Sequence, residues 1–212
     1  MRLILLLALN LIFSAPAWAA YYGVLDNGEI MGAGKYKATL NTQALTENGG
    51  LNLGGIFDIG MSEEFGVRGL IGFGKTDFYS GALVKWMPVP DIENQPAMGF
   101  NAGLVYAKDG GVADLTVRIE PMLSKRLVVE ATTFTPYLAL PVGIRMRDSN
   151  VRGEDDESTA TFQMVVGSQL QVERWKNLQF LAEIGIDLDN SPGYISVAGV
   201  FYFDQEQGFT LE

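Results

Sequence analysis

From Glu29 onward, apolar and polar residues alternate with a period of two, and the breaks fall on Gly, Asp, Asn or Pro. Successive side chains of an extended strand point to opposite faces, so the pattern demands strands with one greasy face and one polar face. In Val112–Glu120, Leu115, Val117 and Ile119 share one side, while Asp114, Thr116, Arg118 and Glu120 share the other. Between 159 and 173, Ala160, Phe162, Met164, Val166, Leu170 and Val172 oppose Thr161, Gln163, Gly167, Gln169, Gln171 and Glu173. Between 178 and 188, Phe180, Ala182, Ile184 and Ile186 oppose Gln179, Glu183, Gly185 and Asp187. No helical stripe of comparable length follows the N-terminal leader.

This reading predicts strands near 31–42, 51–61, 64–75, 78–87, 97–107, 112–123, 132–146, 159–174, 178–188 and 194–204. An even count of about ten lets all neighbours pair as antiparallel hairpins and puts both ends on one side. Eight stays open if the first stretch is irregular or two others merge. Connections after odd-numbered strands are polar, and the longest, 148–158, is the most acidic. Those after even-numbered strands are Ser62-Glu63, a Pro-rich stretch from Pro88 to Pro96, Ser124–Ala131 and Trp175–Asn177.

The chain opens with an export leader. Arg2 precedes an apolar run, Leu3–Phe13, and Ala17-Trp18-Ala19 supplies a small-x-small cleavage site. The expected division is a signal peptide at 1–19 and a single domain at 20–212. The run is shorter than the roughly 20 apolar residues of a membrane helix. No cysteine occurs, which excludes a lipoprotein anchor and a disulfide framework, so the fold must hold itself by a closed or extensive sheet. A net charge of −10 argues against nucleic-acid binding.

Two features choose which face is enclosed. Charges gather on the polar face: Lys35, Lys37, Asp58, Arg68, Lys85, Asp114, Arg118, Glu120, Arg145, Glu183 and Asp187. The same face carries most strand glycines, among them Gly54, Gly72, Gly167 and Gly185, and a narrow interior needs such missing side chains to seat long ones. The polar face is therefore read as the lumen, its charges laced into ion pairs because an unpaired enclosed charge is very costly. Aromatics collect at strand ends: Phe65, Trp86, Trp175 and Phe203 at one rim, and Phe73, Phe78, Tyr106 and Tyr194 at the other. Two such bands are what membrane interfaces attract. The fold expected is all-β: an antiparallel, transmembrane, up-and-down β-barrel.

Segments such as Leu51–Glu63 resemble the strand-plus-short-turn units of the small outer-membrane β-barrel superfamily, the OmpA/OmpX-type, porin-like barrels. The resemblance is one of pattern and spans the whole mature chain. It implies the outer membrane of a Gram-negative bacterium, contact with outer-membrane lipid and lipopolysaccharide, and insertion by the barrel-assembly machinery. Members usually end on an aromatic residue; here Phe201-Tyr202-Phe203 fits such a strand, but the chain continues to Glu212.

The chain has no His and no Cys, which removes Ser-His-Asp and Cys-His catalysis and nitrogen- or sulfur-ligated zinc. No cofactor is expected. Glu154-Asp155-Asp156-Glu157, and Asp187 with Asp189 and Asn190, are oxygen-donor sets that suit weak Ca²⁺ binding or, more simply, solvated loops. Carboxylate chemistry among Glu120, Glu183 and Asp187 is the weaker reading beside ion pairing. The function expected is non-enzymatic, with a structural, envelope or surface-interaction role and at most a narrow charged lumen for small ions. The alternative is a soluble periplasmic barrel or sandwich that encloses an apolar ligand.

Overall fold

The computed structural model describes residues 23–204 apart from 48, 94, 150–156, 173 and 175–177. Residues 1–22 with the expected signal peptide, residues 205–212, Trp175 and Glu154-Asp155-Asp156 lie outside the described residues. The strands are β1 (Lys35–Leu45), β2 (Leu51–Gly60), β3 (Phe65–Gly74), β4 (Phe78–Val89), β5 (Ala97–Asp109), β6 (Val112–Ser124), β7 (Leu127–Val129), β8 (Thr132–Ala139), β9 (Val142–Ser149), β10 (Glu157–Val172), β11 (Leu178–Asp189) and β12 (Tyr194–Asp204).

All pairing is antiparallel, and the sheet closes. β12 pairs with β1 along its full length, from Lys35 opposite Asp204 to Leu45 opposite Tyr194. β8 and β9 are one stave. Against β6 they hold a single register through Met122–Ala139 and Ile119–Val142. Against β10 they do the same through Val165–Ala139 and Phe162–Val142. The interruption falls at Leu140-Pro141, opposite Pro121, because proline has no N–H to give the ladder. The flanking residues carry the ladder across: Leu140 N–H donates to Pro121 O at 2.9 Å and Gln163 N–H to Pro141 O at 3.0 Å. The result is a closed ten-stave up-and-down barrel.

Two expectations need correction. Residues 31–34 are not strand; Gly34 turns at φ +79° and the chain before it folds into the barrel. Within Ser124–Ala131 lies β7, which pairs with β8 as a short flap. It sits at what we term the near rim, where β1 begins and β12 ends. At that rim Lys125 Nζ meets Asp91 at 2.5 Å and Arg126 N–H donates to the same carboxylate at 2.6 Å, tying the Pro-rich connection to the β6–β7 turn.

The greasy face points out. Leu40, Ile71, Ile144 and Val197 are each more than half exposed, at 62%, 58%, 56% and 57%. Lys37, Asp58, Arg68, Lys85 and Glu120 are each 2% exposed or less. That is the reverse of a water-soluble protein. Among the described residues closure leaves no unpaired edge on the ten staves, the condition for a sheet to stand in hydrocarbon, and the one-sided pairing is that of the β7 flap at a rim. The soluble alternative needs the apolar face inside, and the burial runs the other way.

A cation added to the outer surface should cost according to depth. Val117, mid-strand in β6 and 44% exposed, pairs with Leu104 and Ile144. Val117→Arg should destabilise the barrel in lipid vesicles by about 2–4 kcal/mol, and Leu51→Arg, at the far end of the barrel, by about 0–1 kcal/mol. Urea titration followed by tryptophan fluorescence measures both, and equal small losses would contradict an outer face in lipid.

Candidate functional site

Inside the barrel the notable structure is the chain's own N-terminal segment. From Lys35 it runs back through the near rim and into the bore, where Val24, Leu25 and Asp26 are fully buried. Gly60, at the near end of β2, gives the backbone of Met31 and Gly32 room to pass; a side chain there would occupy their space. Asx-type turns shape the segment: Asp26 Oδ1 accepts Gly28 N–H at 3.2 Å and Asn27 Oδ1 accepts Glu29 N–H at 3.1 Å. Gly28 has φ +72°, and Leu25 is held at φ +43°, a conformation rare without glycine.

Wall groups hold that strained backbone. Glu183 accepts Val24 N–H at 3.0 Å and Leu25 N–H at 2.6 Å. It also accepts the hydroxyls of Tyr137 and Tyr194, each at 2.5 Å. Arg68 Nη1 donates to Val24 O at 2.5 Å, and Arg118 Nη2 to Gly23 O at 2.9 Å.

Asp26 is the centre of the charge cluster. Its carboxylate lies 2.9 Å from Lys85 Nζ, 3.1 Å from Arg68 Nη2 and 3.4 Å from Lys37 Nζ. Asn101 Nδ2 donates to it at 3.2 Å and to Glu120 at 2.9 Å. Asp58 completes the group, 2.7 Å from Arg68 Nε and 3.2 Å from Lys37. Strands β1, β2, β3, β4 and β5 each contribute one residue, and all sit on the inward parity. Removing one partner of such an enclosed pair typically costs about 3–5 kcal/mol, because the other charge is left uncompensated.

The remaining charges singled out from the sequence distribute as follows. Arg118 pairs with Glu120, two residues along the same face of β6. Asp114 lies 3.0 Å from Arg147 and 4.0 Å from Arg145. Arg147 lies beyond the strand limit of 146 expected from the sequence, within β9 as it forms. Lys35 and Asp187 are corrections. Both have inward parity but lie at opposite rims and are exposed, outside the buried cluster. Asp187 instead accepts Ser191 N–H at 2.9 Å, closing the β11–β12 turn.

Inward glycines seat the lumen's tyrosines. Gly72 pairs across the sheet with Tyr79, Gly167 with Tyr137, and Gly185 with Tyr194. In each case a methyl group on the glycine would fall within the ring. Tyr194 therefore corrects the expectation of a rim aromatic: it is fully buried, and its hydroxyl needs the Glu183 carboxylate. Its place at the start of β12 suggested an interface, but its parity turns it inward.

The other described rim aromatics face outward or along the rim. Phe65 stacks on Trp86 at 5.8 Å, and Trp86 meets Phe100 edge-on at 5.3 Å. Phe203 stacks on Tyr36 at 5.5 Å, beside Phe57. At the far rim Phe78 and Tyr106 lie 6.5 Å apart, and Phe73 is 62% exposed. Tyr36, Phe57 and Phe100 are additional members of the near band.

Below the segment a cavity of about 620 Å³ opens at the near rim, lined by Asn27, Glu29, Ser124, Gln169, Gln179 and Tyr202 among others. Among the described residues no acidic cluster is placed to hold a metal ion, and Asp189 is hydrogen-bonded by Asn190 at 3.0 Å.

No protein-family model matches the sequence, and no curated protein is similar to it. Among solved structures, the chain is similar to a designed transmembrane β-barrel at 11% identity, covering 82% of this chain and 99% of that one, with a TM-score of 0.40. The N-terminal β-barrel domain of Pseudomonas aeruginosa OprF follows at 9% identity, with 82% and 100% covered and a TM-score of 0.35. Ail, the attachment invasion locus protein of Yersinia pestis, gives 12%, 81% and 99%, and 0.33. The architecture of this chain rests on its own strand pairing and burial.

The glycine–tyrosine pairs give a sharp expectation. Gly167→Ala and Gly185→Ala should each destabilise the folded barrel by about 1–3 kcal/mol through overpacking. Gly69→Ala, where an added methyl meets nothing, should be neutral. Thermal unfolding in detergent followed by circular dichroism separates the two classes.

Proposed function

We propose that this chain is a non-enzymatic protein of the bacterial outer membrane with a structural, envelope or surface-interaction role, and that its lumen passes at most small ions. The observation that carries the reading is the pairing of an apolar outer surface with a bore filled by the protein's own backbone and ion pairs. A ten-stave barrel leaves little interior beyond its side chains, and here a chain segment takes up part of that space. On this reading solutes the size of a sugar do not pass it.

On this reading the near rim, where both ends of the strand array lie, faces the periplasm, as in single-chain bacterial barrels. The outer aromatic bands lie at the two lipid interfaces, in contact with outer-membrane lipid and lipopolysaccharide. The barrel-assembly machinery inserts the chain, reading a last strand that carries Phe201 and Phe203. Glu183, the enclosed carboxylate that meets hydroxyl groups, is fully engaged by the two tyrosine hydroxyls and two backbone N–H groups.

Fractionation of cell envelopes on a density gradient should place the protein with the outer membrane. Proteoliposomes of the refolded protein should not swell in isotonic sugars. Swelling at rates typical of open porins, or recovery in the soluble periplasmic fraction, would contradict the proposal.

A further inference from the structure

The lumen wall is electrically incomplete without the N-terminal segment. Among the buried described residues, the strands supply the cations Lys37, Arg68, Lys85, Arg118 and Arg145 but only the carboxylates Asp58, Asp114, Glu120 and Glu183. The missing negative charge arrives from outside the wall, on Asp26. Lys37, Arg68 and Lys85 converge on that one carboxylate with Asn101, while the wall carboxylates beside them are Asp58 and, through Asn101, Glu120. A receptor of three cations and an amide, built by four strands, is a site for an oxyanion.

We infer that this part of the lumen wall is a binding site for small carboxylates, which the chain's own Asp26 occupies as an internal ligand. Among the described residues, the segment that delivers Asp26 is joined to the barrel through the turn at Gly32–Lys35, through polar contacts with the wall and through Val24 and Leu25, which pack in the core. It is not part of the sheet. Leu25 sits in a conformation it would leave on release. A solute has a way in, because the near-rim cavity of about 620 Å³ runs up to Asn27 and Gly28, directly after Asp26. A carboxylate entering there meets the same donors and competes with Asp26 for them. An anion is favoured over a cation because, with Asp26 displaced, the buried wall carries five positive groups against four negative ones.

The inference concerns the bore and is read in detergent micelles, so its failure would leave the outer-membrane proposal standing, and the reverse also holds. Asp26→Ala removes a carboxyl group whose place formate fits. The variant's thermal midpoint should fall, and added sodium formate should restore it toward wild type in a saturable manner. Sodium chloride of equal ionic strength should not, and Asp26→Asn, which keeps the space filled, should show no formate rescue. A second variant leaves the site intact: the thiol of Asn27→Cys, in a chain with no other cysteine, reports exposure of the segment. Its labelling by a water-soluble maleimide should accelerate with formate and not with chloride. If Asp26→Ala fails to fold, this labelling decides alone. Equal effects of formate and chloride, or a labelling rate that formate does not move, would overturn the inference.

Discussion

In hydrocarbon no water is available to a backbone amide, so every strand must find partners on both sides and every ionic side chain must turn away from lipid. Those two demands fix most of what this molecule is. The first closes the sheet through the β12–β1 pairing and tolerates Pro121 and Pro141 only because their neighbours carry the ladder past them. The second drives Lys37, Asp58, Arg68, Lys85, Arg118 and Glu120 into a bore where they must neutralise one another. Asp26, brought in from outside the sheet, completes that neutralisation.

The interior is organised in two layers of contact. Glycines on the inward parity let Tyr79, Tyr137 and Tyr194 lie flat against the wall, and two of those hydroxyls orient Glu183. Glu183 in turn holds the backbone of Val24 and Leu25, which places Asp26 among its cations. Glycine in these strands is thus a positive requirement of packing; the cross-strand tyrosine occupies the space a side chain would take. A defect at Gly167 or Gly185 would reach the charge cluster through this chain of contacts.

Much of this was legible in the sequence, because a period of two over ten stretches leaves few other folds. The strand limits near 51–61, 64–75 and 194–204 came from alternation and its turn residues, and the paired Asp58, Arg68 and Lys85 came from parity alone. The seventh stave read as one strand, since two prolines do not disturb its alternation. Parity did not locate depth, which is why Lys35 and Asp187 were placed in the lumen and lie at the rims. Position near a strand end did not fix direction, which is why Tyr194 was given to the interface. The inward segment left no periodic trace, since Val24–Gly28 is shaped by turns and held by tertiary bonds. One signal did exist. The inward charges named from the sequence comprised six cations and five carboxylates, and an enclosed site cannot stay one charge short.

The central claim is that odd-numbered positions of β6 face lipid and even-numbered ones face the bore. The absence of cysteine makes a scan direct: nitroxide labels on single cysteines at Leu115, Thr116, Val117, Arg118 and Ile119, with the protein in lipid vesicles. Collision rates with dissolved oxygen, which partitions into hydrocarbon, should be high at 115, 117 and 119 and low at 116 and 118. The opposite phase, or high accessibility to a water-soluble nickel chelate at Val117, would contradict the account.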